Sequence, residues 1–435
     1  VLVLEQHSVP GGLTQTYSRK GMTFPTGVHR LGSLLPGQPL WHYFKYLDIY
    51  DRLELVPLAQ DCFERFHFPD AAFDIPVGHR ACREQMAAYF PDQRAGIRRY
   101  FEDMRTVISS IGMYDPSLVP EKDRSFEFLG SVRDYLDTIG ITGRLRSLLT
   151  ANSPLYGLSS EECPLLTHFI ISDSYLNSSF RINETRTPFS AALSDSLTSL
   201  GGEIRLGARV SRVRVTDRTA TGVVLEGGEV IKSEKVIFTG HPFYLLELCP
   251  PELFRPVFRK RLENVENTSG LFGVALKWDA DSCPVKENDA YLYDSWDVDA
   301  QYQQKRRLSA DSAGMVYMSA LPNSCASGKS GHEVAVTALT GMSRLEARDL
   351  KSCFSKSGRK GYNRAKERIA ANMMAGIEVF FPGAKRDAEV VDTYSPLTFE
   401  RYTLTRDGSA YGVKKTSQGF LGGMFSPATK VRNLY

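Results

Sequence analysis

Much of what this chain of 435 residues could have been is excluded by what it lacks. It contains no G-x-S-x-G elbow, no H-E-x-x-H pair and no Walker A loop. Hydrolase and nucleoside-triphosphatase chemistry therefore has no motif to rest on. Its seven Cys are an odd number, irregularly spaced and without a C-x-x-C pair. That argues against a disulfide framework and structural zinc, and a reducing, cytoplasmic setting is expected. His7, His42, His67, His79, His168, His241 and His332 show no ligand spacing, so no metal is expected. No apolar run approaches the ~18 residues of a membrane-spanning helix. Repeats and low-complexity tracts are absent. Basic residues are not concentrated either: net charge is +3 and pI about 8.4, which is no footprint for nucleic acid. The densest basic stretch, Arg255 to Arg261, reads as a solvated helix end. Peripheral contact with an anionic membrane surface is the minor alternative. An initial Met and a G-x-G-x-x-G turn are also missing.

What is present is the composition of a soluble globular protein, 42% hydrophobic and 24% charged, at a length that suggests two domains. The most informative stretch is the start. Val1-Leu-Val-Leu is a short apolar run ending on Glu5, followed by Gly11-Gly12. A buried parallel strand that delivers a carboxylate can hold both ribose hydroxyls. An adjacent Gly pair lets backbone approach a pyrophosphate, with Thr14 a candidate phosphate contact. Together they look like the second half of a dinucleotide-binding unit. The strand, glycine turn and helix of the first half are expected upstream, so the chain reads as a fragment cut inside its cofactor domain.

Further along, Ile97, Tyr100, Phe101, Met104, Ile108 and Ile111 fall on one helical face within 92 to 112. Leu129, Val132, Tyr135, Leu136 and Ile139 predict a second helix, and Ser159 to Glu162 a capping box for a third. Residues 80 to 175 thus read as a helical insertion. Thr187-Pro188 predicts the N-cap and first position of a helix carrying Phe189, Leu193, Leu197 and Leu200, stopped by Gly201-Gly202. Strands at 203–206, 210–215, 222–225, 230–231 and 236–238 follow, the middle ones as a meander. The last runs into Thr239-Gly240, at a strand's C-terminal end, where parallel sheets bind ligands. From 270, alternation at 272–278, 290–293, 315–320 and 334–339 predicts an antiparallel sheet with one covered face. A helix over 361–381 ends at Pro382-Gly383.

These landmarks resemble the carotenoid and retinoid redox family of flavoproteins: phytoene desaturases, carotenoid isomerases and retinol saturases. In that family a strand ending in Glu precedes Gly-Gly and a G-x-x-F-D-x-G segment, matched here by Glu5, Gly11, Gly12, Gly21, Phe24 and Gly27. Gly27-Val-His29, Ser395 to Tyr402, Asp407 to Gly412 and Asn433-Leu-Tyr435 look most like the retinol-saturase branch. The chain departs from the pattern at Pro25, where relatives carry Asp. It departs again at Glu184 to Thr187, where they carry Gly-Gly, and it lacks both terminal flavin motifs.

The resemblance implies an α/β, Rossmann-like FAD domain of glutathione-reductase type, incomplete here, with a discontinuous α+β substrate domain and helical cap. The implied division is 1–40, 186–262 and 388–435 against 41–185 and 263–387. It further implies hydride transfer with flavin that saturates or desaturates a C–C bond of a lipophilic polyene, with NAD(P)H a possible electron donor. Gly27 and His29 would pass the isoalloxazine, and His29 could stabilise charge or donate a proton. Val210 would hold adenine through its main chain, and Thr239 and Gly240 are candidate cofactor contacts. Tyr402, Tyr411 and Gly412 would line the substrate side, with Tyr411 the candidate catalytic group. The alternatives are a flavin amine oxidase on the same architecture, or a flavin-free isoprenoid-binding protein or inert fragment. Without the glycine turn at a helix N-terminus, which neutralises the pyrophosphate, weak or no FAD binding by this chain is the expectation.

Overall fold

The computed structural model describes residues 1–112, 114, 130–302, 314–322, 332–417 and 427–435. The apolar run at the start forms the strand Leu2–Leu4. It pairs in parallel with Glu203–Arg205, Leu2 opposite Glu203 and Leu4 opposite Arg205. The helix Phe189–Ser199 leads into that second strand, and Gly201, in the left-handed region, ends it as predicted. Its start is different. Pro188 takes the N-cap position in place of Thr187, and the Glu184 carboxylate accepts from the Phe189 N–H at 2.9 Å. Glu184 reaches the free amide because 183–187 is folded into a turn, where the Arg186 and Thr187 amides both donate to the Asn183 carbonyl.

The meander follows its predicted spacing: Val210–Thr216, Thr219–Leu225 and Val230–Lys232 pair antiparallel in that order. Residues 236–238 are not one of its strands. They run beside the last residues of the chain instead. Val236 bridges Leu434 in a parallel sense, and the Phe238 N–H donates to the Tyr435 carbonyl at 2.7 Å.

A seven-stranded sheet carries most of the remaining chain. Its spatial order is Ala388–Tyr394, Gly270–Asp279, Glu333–Met342, Met315–Leu321, Asp289–Tyr293, Glu64–Phe68 and Ala71–Ile75. The expected antiparallel sheet with one covered face is corrected twice. The pairing of Asp289–Tyr293 with Glu64–Phe68 is parallel. Every residue of Met315–Leu321 and of Asp289–Tyr293 is buried, because both faces are covered. On one face Leu350, Ile369, Met373 and Ile377 pack against Phe272, Val274 and Leu276. On the other, Tyr291, Tyr293 and Tyr317 meet the helical cap, while Met22 and Phe24 pack with Ala275 and Ala335. Pairing also places Ala388–Tyr394 at the edge of this sheet, although the sequence division puts 388–435 with the first unit. The helix predicted over 361–381 is the second part of Arg344–Phe380, whose backbone breaks at Gly358 (φ 58°, ψ −160°).

The cap is built from the helices His79–Tyr89, Arg94–Ile108, Val132–Thr138, Gly143–Thr150 and Leu165–Asn177. The predicted face of Ile97, Tyr100, Phe101 and Met104 is buried in its core; Leu129 lies outside the described residues. Ser159 to Glu162 caps no helix. It forms a turn in which the Cys163 N–H donates to the Ser159 carbonyl, and the next helix begins at Leu165 behind Pro164. The Glu162 carboxylate instead takes Lys414 at 2.7 Å.

One buried ion network joins these parts. Arg30, just after the first hairpin, donates to Glu64 Oε2 at 2.8 Å, and its Nη1 lies 3.3 Å from Asp289 Oδ2. Arg181 donates to Asp289 Oδ1 at 2.7 Å and to the carbonyls of Val285, Lys286 and Asn288. The Tyr317 hydroxyl donates to Asp289 Oδ2 at 2.8 Å. Burial opposes ionisation of Asp289, yet Arg181 and Arg30 together carry its carboxyl below the usual range. Removing one partner of a buried pair strands the other charges, so Asp289→Ala is expected to cost about 3–5 kcal/mol of stability at pH 7. A carboxyl whose folded pKa is depressed stabilises the fold above its unfolded pKa of about 3.9 and ceases to do so as pH falls through the folded value. The penalty should therefore shrink only below about pH 4. Urea denaturation at several pH values checks both points, and a loss under about 1 kcal/mol at pH 7 would contradict the network's structural role.

Candidate active site

The residues singled out at the start of the chain lie around one strand end. The Glu5 N–H donates to the Arg205 carbonyl at 3.0 Å, and its own carbonyl accepts from Ala208 at 2.8 Å. Its Oε1 accepts the His7 N–H at 2.8 Å. A carboxylate has about four lone-pair sites, so capacity remains for ribose hydroxyls. The Gly207 N–H, donating to the His7 carbonyl, closes the same loop, and Val210 opens the next strand with its backbone opposite Leu225.

Gly11 and Gly12 both have positive φ, 112° and 56°. They do different work. A Cβ on Gly11 would stand 2.5 Å from Ser190 Cβ, so its bareness seats this turn on the helix Phe189–Ser199. Around Gly12 nothing lies within 4 Å of a built Cβ, leaving backbone open to a ligand. The Thr14 hydroxyl donates to the Gly11 carbonyl at 2.8 Å and so closes the turn. Thr239 and Gly240 are exposed; a Cβ on Gly240 would meet the Phe238 ring at 2.5 Å.

A second group meets at a cavity. Gly27, His29 and Arg30 reach it from the first segment, Pro154, Leu155 and Tyr175 from the cap. The sheet adds Leu271, Tyr291, Met315, Tyr317 and Leu339, and the C-terminal segment adds Tyr411. Gly27, His29 and Tyr411 are thus brought together, across almost the whole chain. The His29 ring meets Tyr317 edge-on at 5.9 Å between centroids. Its Nδ1 and the Tyr291 hydroxyl are buried without a hydrogen-bond partner. Burial pushes the His29 imidazole down to about 4, and Asp289 offsets this only in part. It is therefore neutral near pH 7 and offers one N–H donor and one acceptor, not a cation.

Tyr411 is partly committed. Its hydroxyl donates to the Pro154 carbonyl at 2.8 Å, and its ring rests against Gly157, where a Cβ would come within 2.7 Å. Tyr402 lies elsewhere, stacked on His7 at 5.8 Å beside the Glu5 loop. The Gly412 carbonyl accepts from the Thr268 N–H at 2.9 Å.

Sequence reading missed Arg30, Tyr175, Tyr291 and Tyr317. Arg30 follows His29 directly, but its partners Glu64 and Asp289 are remote in sequence, and no local spacing announces them. Its guanidinium also lies over the Tyr175 ring at 4.1 Å. His241, without ligand spacing in the sequence, meets Asn267 Oδ1 at 2.8 Å. Among the described residues no group of three or more His, Cys, Asp or Glu is placed to hold a metal, and no helix is long and apolar enough to cross a membrane.

Residues 1–351 match the family of flavin containing amine oxidoreductases, which is most of the chain. The chain belongs to that family. Its cofactor is FAD and its class is oxidoreductase. The parallel pair, meander and large sheet are the α/β, Rossmann-like FAD-binding fold. The open Gly12 turn, the Glu5 lone pairs and the orphaned polar atoms of His29 and Tyr291 fit such a group. The all-trans-retinol 13,14-reductase of Danio rerio is 22% identical over 490 residues, covering 100% of this chain and 77% of that protein. Prolycopene isomerase 2, chloroplastic, of an Oncidium hybrid cultivar is 23% identical, covering 100% and 75%. The carotenoid and retinoid redox resemblance read from the sequence holds at this level. A solved oxidoreductase from Methanosarcina mazei shares the fold, with TM-score 0.69 at 14% identity over 100% of this chain and 87% of that one.

The geometry separates side-chain from main-chain contributions at the strand end. In a protein restored with the glycine turn, Glu5→Ala should weaken FAD binding at least about tenfold, as expected for loss of hydrogen bonds to a charged group. Val210→Ile should leave it within about twofold, since only its backbone is placed to act. Flavin fluorescence titration measures both, and equal dissociation constants for wild type and Glu5→Ala would overturn the ribose role.

Proposed function

We propose that this oxidoreductase adds or removes a pair of hydrogens across a C–C bond of a lipophilic polyene. The observation that carries the reading is the character of the cavity wall. Among the described residues its lining is aromatic and aliphatic, without a carboxylate, and Arg30 is its one charged group. A protonated amine would find there a guanidinium already paired with Glu64 and Asp289 and no lining carboxylate of its own, which disfavours the amine-oxidase alternative. The activities named for the retinol reductase and prolycopene isomerase relatives support a polyene.

FAD, when bound, supplies the hydride acceptor or donor. The chain's own residues bind, orient and exclude water. Tyr291, Tyr317 and Tyr411 provide flat, apolar surface for a conjugated chain. Neutral His29 is positioned to give or receive a single hydrogen bond at the reacting end of the cavity. Tyr175 stands in the wall shared with a second cavity under the cap. The two measure about 90 and 40 Å³, so an elongated substrate spans both only when the Tyr175 ring swings out of the way. Delivery from a membrane surface fits such a substrate, and the helix Pro256–Glu263 exposes Val257 among its basic residues.

The experiment is anaerobic mixing of the flavin-loaded protein with a polyene, followed by mass spectrometry of the extracted product. Gain or loss of one pair of hydrogens, with matching flavin bleaching or reoxidation, is expected. Amine-dependent flavin bleaching with the polyene unchanged would contradict the reading. His29→Gln should bind FAD normally and slow the flavin half-reaction at least about tenfold. Because the wild-type imidazole stays neutral above about pH 5, the slowing should be the same at pH 6 and pH 8. An unchanged rate would leave His29 a packing residue.

A further inference from the structure

We propose that residues 410–414 form a strap across the mouth of the first cavity, latched shut by Lys414, and that ligand enters when the strap lifts. The proposal concerns the way in and holds for whichever ligand the cavity takes. Its starting point is Tyr411, which lines the cavity and is at the same time 45% exposed. At this point a single side chain stands between the cavity and solvent. Arg30, Tyr291, Met315 and Tyr317, which also line the cavity, are buried.

Backbone fastens the strap along the sheet side. The Ala410 N–H donates to the Ser269 carbonyl at 3.1 Å, the Thr268 N–H to the Gly412 carbonyl at 2.9 Å and the Lys414 N–H to the Glu266 carbonyl at 2.8 Å. This is one antiparallel pairing, with Val413 opposite Asn267. Side chains hold the strap to the cap. The Tyr411 hydroxyl donates to the Pro154 carbonyl at 2.8 Å, and its ring seats on the bare Cα of Gly157. Lys414 Nζ donates to Glu162 at 2.7 Å and lies 3.2 Å from Glu266. One ammonium thus ties together the two sides of the mouth, the cap turn at Glu162 and the stretch that leads into the sheet. Its side chain is only 17% exposed, so this pair is better shielded from water and salt than an ordinary surface ion pair. The two glycines of the segment differ in freedom. Both have positive φ, 62° at Gly408 and 68° at Gly412. A Cβ on Gly408 would fall 2.4 Å from the Pro396 carbonyl oxygen, so that end is clamped. At Gly412 the nearest atom would be 3.9 Å away, on His241, which leaves room for the backbone to turn. Lifting the strap from the cap costs the Lys414 and Tyr411 contacts and leaves the ion network around Asp289 in place.

The test needs no substrate. Met315→Cys places a thiol on the buried cavity wall of the full chain, and N-ethylmaleimide is the probe, with the labelled peptide resolved by mass spectrometry. Adding Lys414→Met should speed labelling of residue 315 at least about tenfold, as expected for loss of hydrogen bonds to a charged group. Glu162→Ala should act in the same direction. Cys249, buried in the core beside the meander, reports global opening and should label at an unchanged rate. Raising salt to about 0.5 M should speed labelling at 315 while Lys414 is present and have no such effect in Lys414→Met. Hydrogen–deuterium exchange covers the case that the new thiol disturbs the sheet. In the chain that keeps Met315, Lys414→Met should raise exchange at 410–414 and 266–269 and leave 315–321 protected. Labelling at 315 unaltered by both Lys414→Met and Glu162→Ala would overturn the proposal, as would a rise matched at Cys249 or a salt effect that survives Lys414→Met. None of these outcomes bears on the polyene reading.

Discussion

Asp289 is a carboxylate with no exposed surface, faced by two guanidinium groups and a phenol. Each partner arrives from a different part of the chain. Arg30 follows the Gly27–His29 segment, Arg181 lies within the strand Ser179–Ile182 that follows the last cap helix, and Tyr317 lies on the large sheet. Glu64, bound to the other side of Arg30, is on the one strand that pairs in parallel with that of Asp289. Two guanidinium groups face two carboxyl groups, and the carbonyls of 285, 286 and 288 accept from the Arg181 Nη atoms. A buried charge without an opposite partner costs several kcal/mol, so removing one member leaves the others uncompensated. That requirement fixes the depth and direction at which Gly27 and His29 meet the sheet, and thereby the shape of the cavity.

The same arrangement accounts for the electrostatics of the site. Arg30 and Arg181 stand close to His29 while Asp289 is largely spent on them, so burial wins and the imidazole stays neutral. Arg30 covers a face of Tyr175. The wall of the first cavity is otherwise ring and hydrocarbon surface, with His29 its other polar side chain besides the tyrosines. A flavoenzyme that leaves the demanding chemistry to its cofactor needs little more from the protein than placement and dryness.

Local signals in the sequence were sufficient for local structure. Leu2 to Leu4 follows from a short apolar run, and the meander and the face of Ile97 to Met104 follow directly from strand and turn spacing and helical period. The failures share a cause. Thr187 lost its capping role to Glu184, and Ser159 to Glu162 lost theirs to a turn tied to Lys414. In both cases a competing partner outside the motif offered a better bond. Met315–Leu321 is buried on both faces because helix and cap arrive from far along the chain. Arg30 looked like an ordinary charge because its value lies in Glu64 and Asp289.

The central claim is that the ion network holds the Gly27–Gly32 segment, and with it the cavity, in place. Hydrogen–deuterium exchange on wild type and Arg30→Met measures this directly. The account predicts that exchange rises together in residues 22–32, 64–68 and 289–293, while the strand Leu2–Leu4 and the helix Phe189–Ser199 keep their protection. Exchange confined to the immediate neighbours of residue 30, or unchanged throughout, would show that packing alone positions the site and would contradict the account.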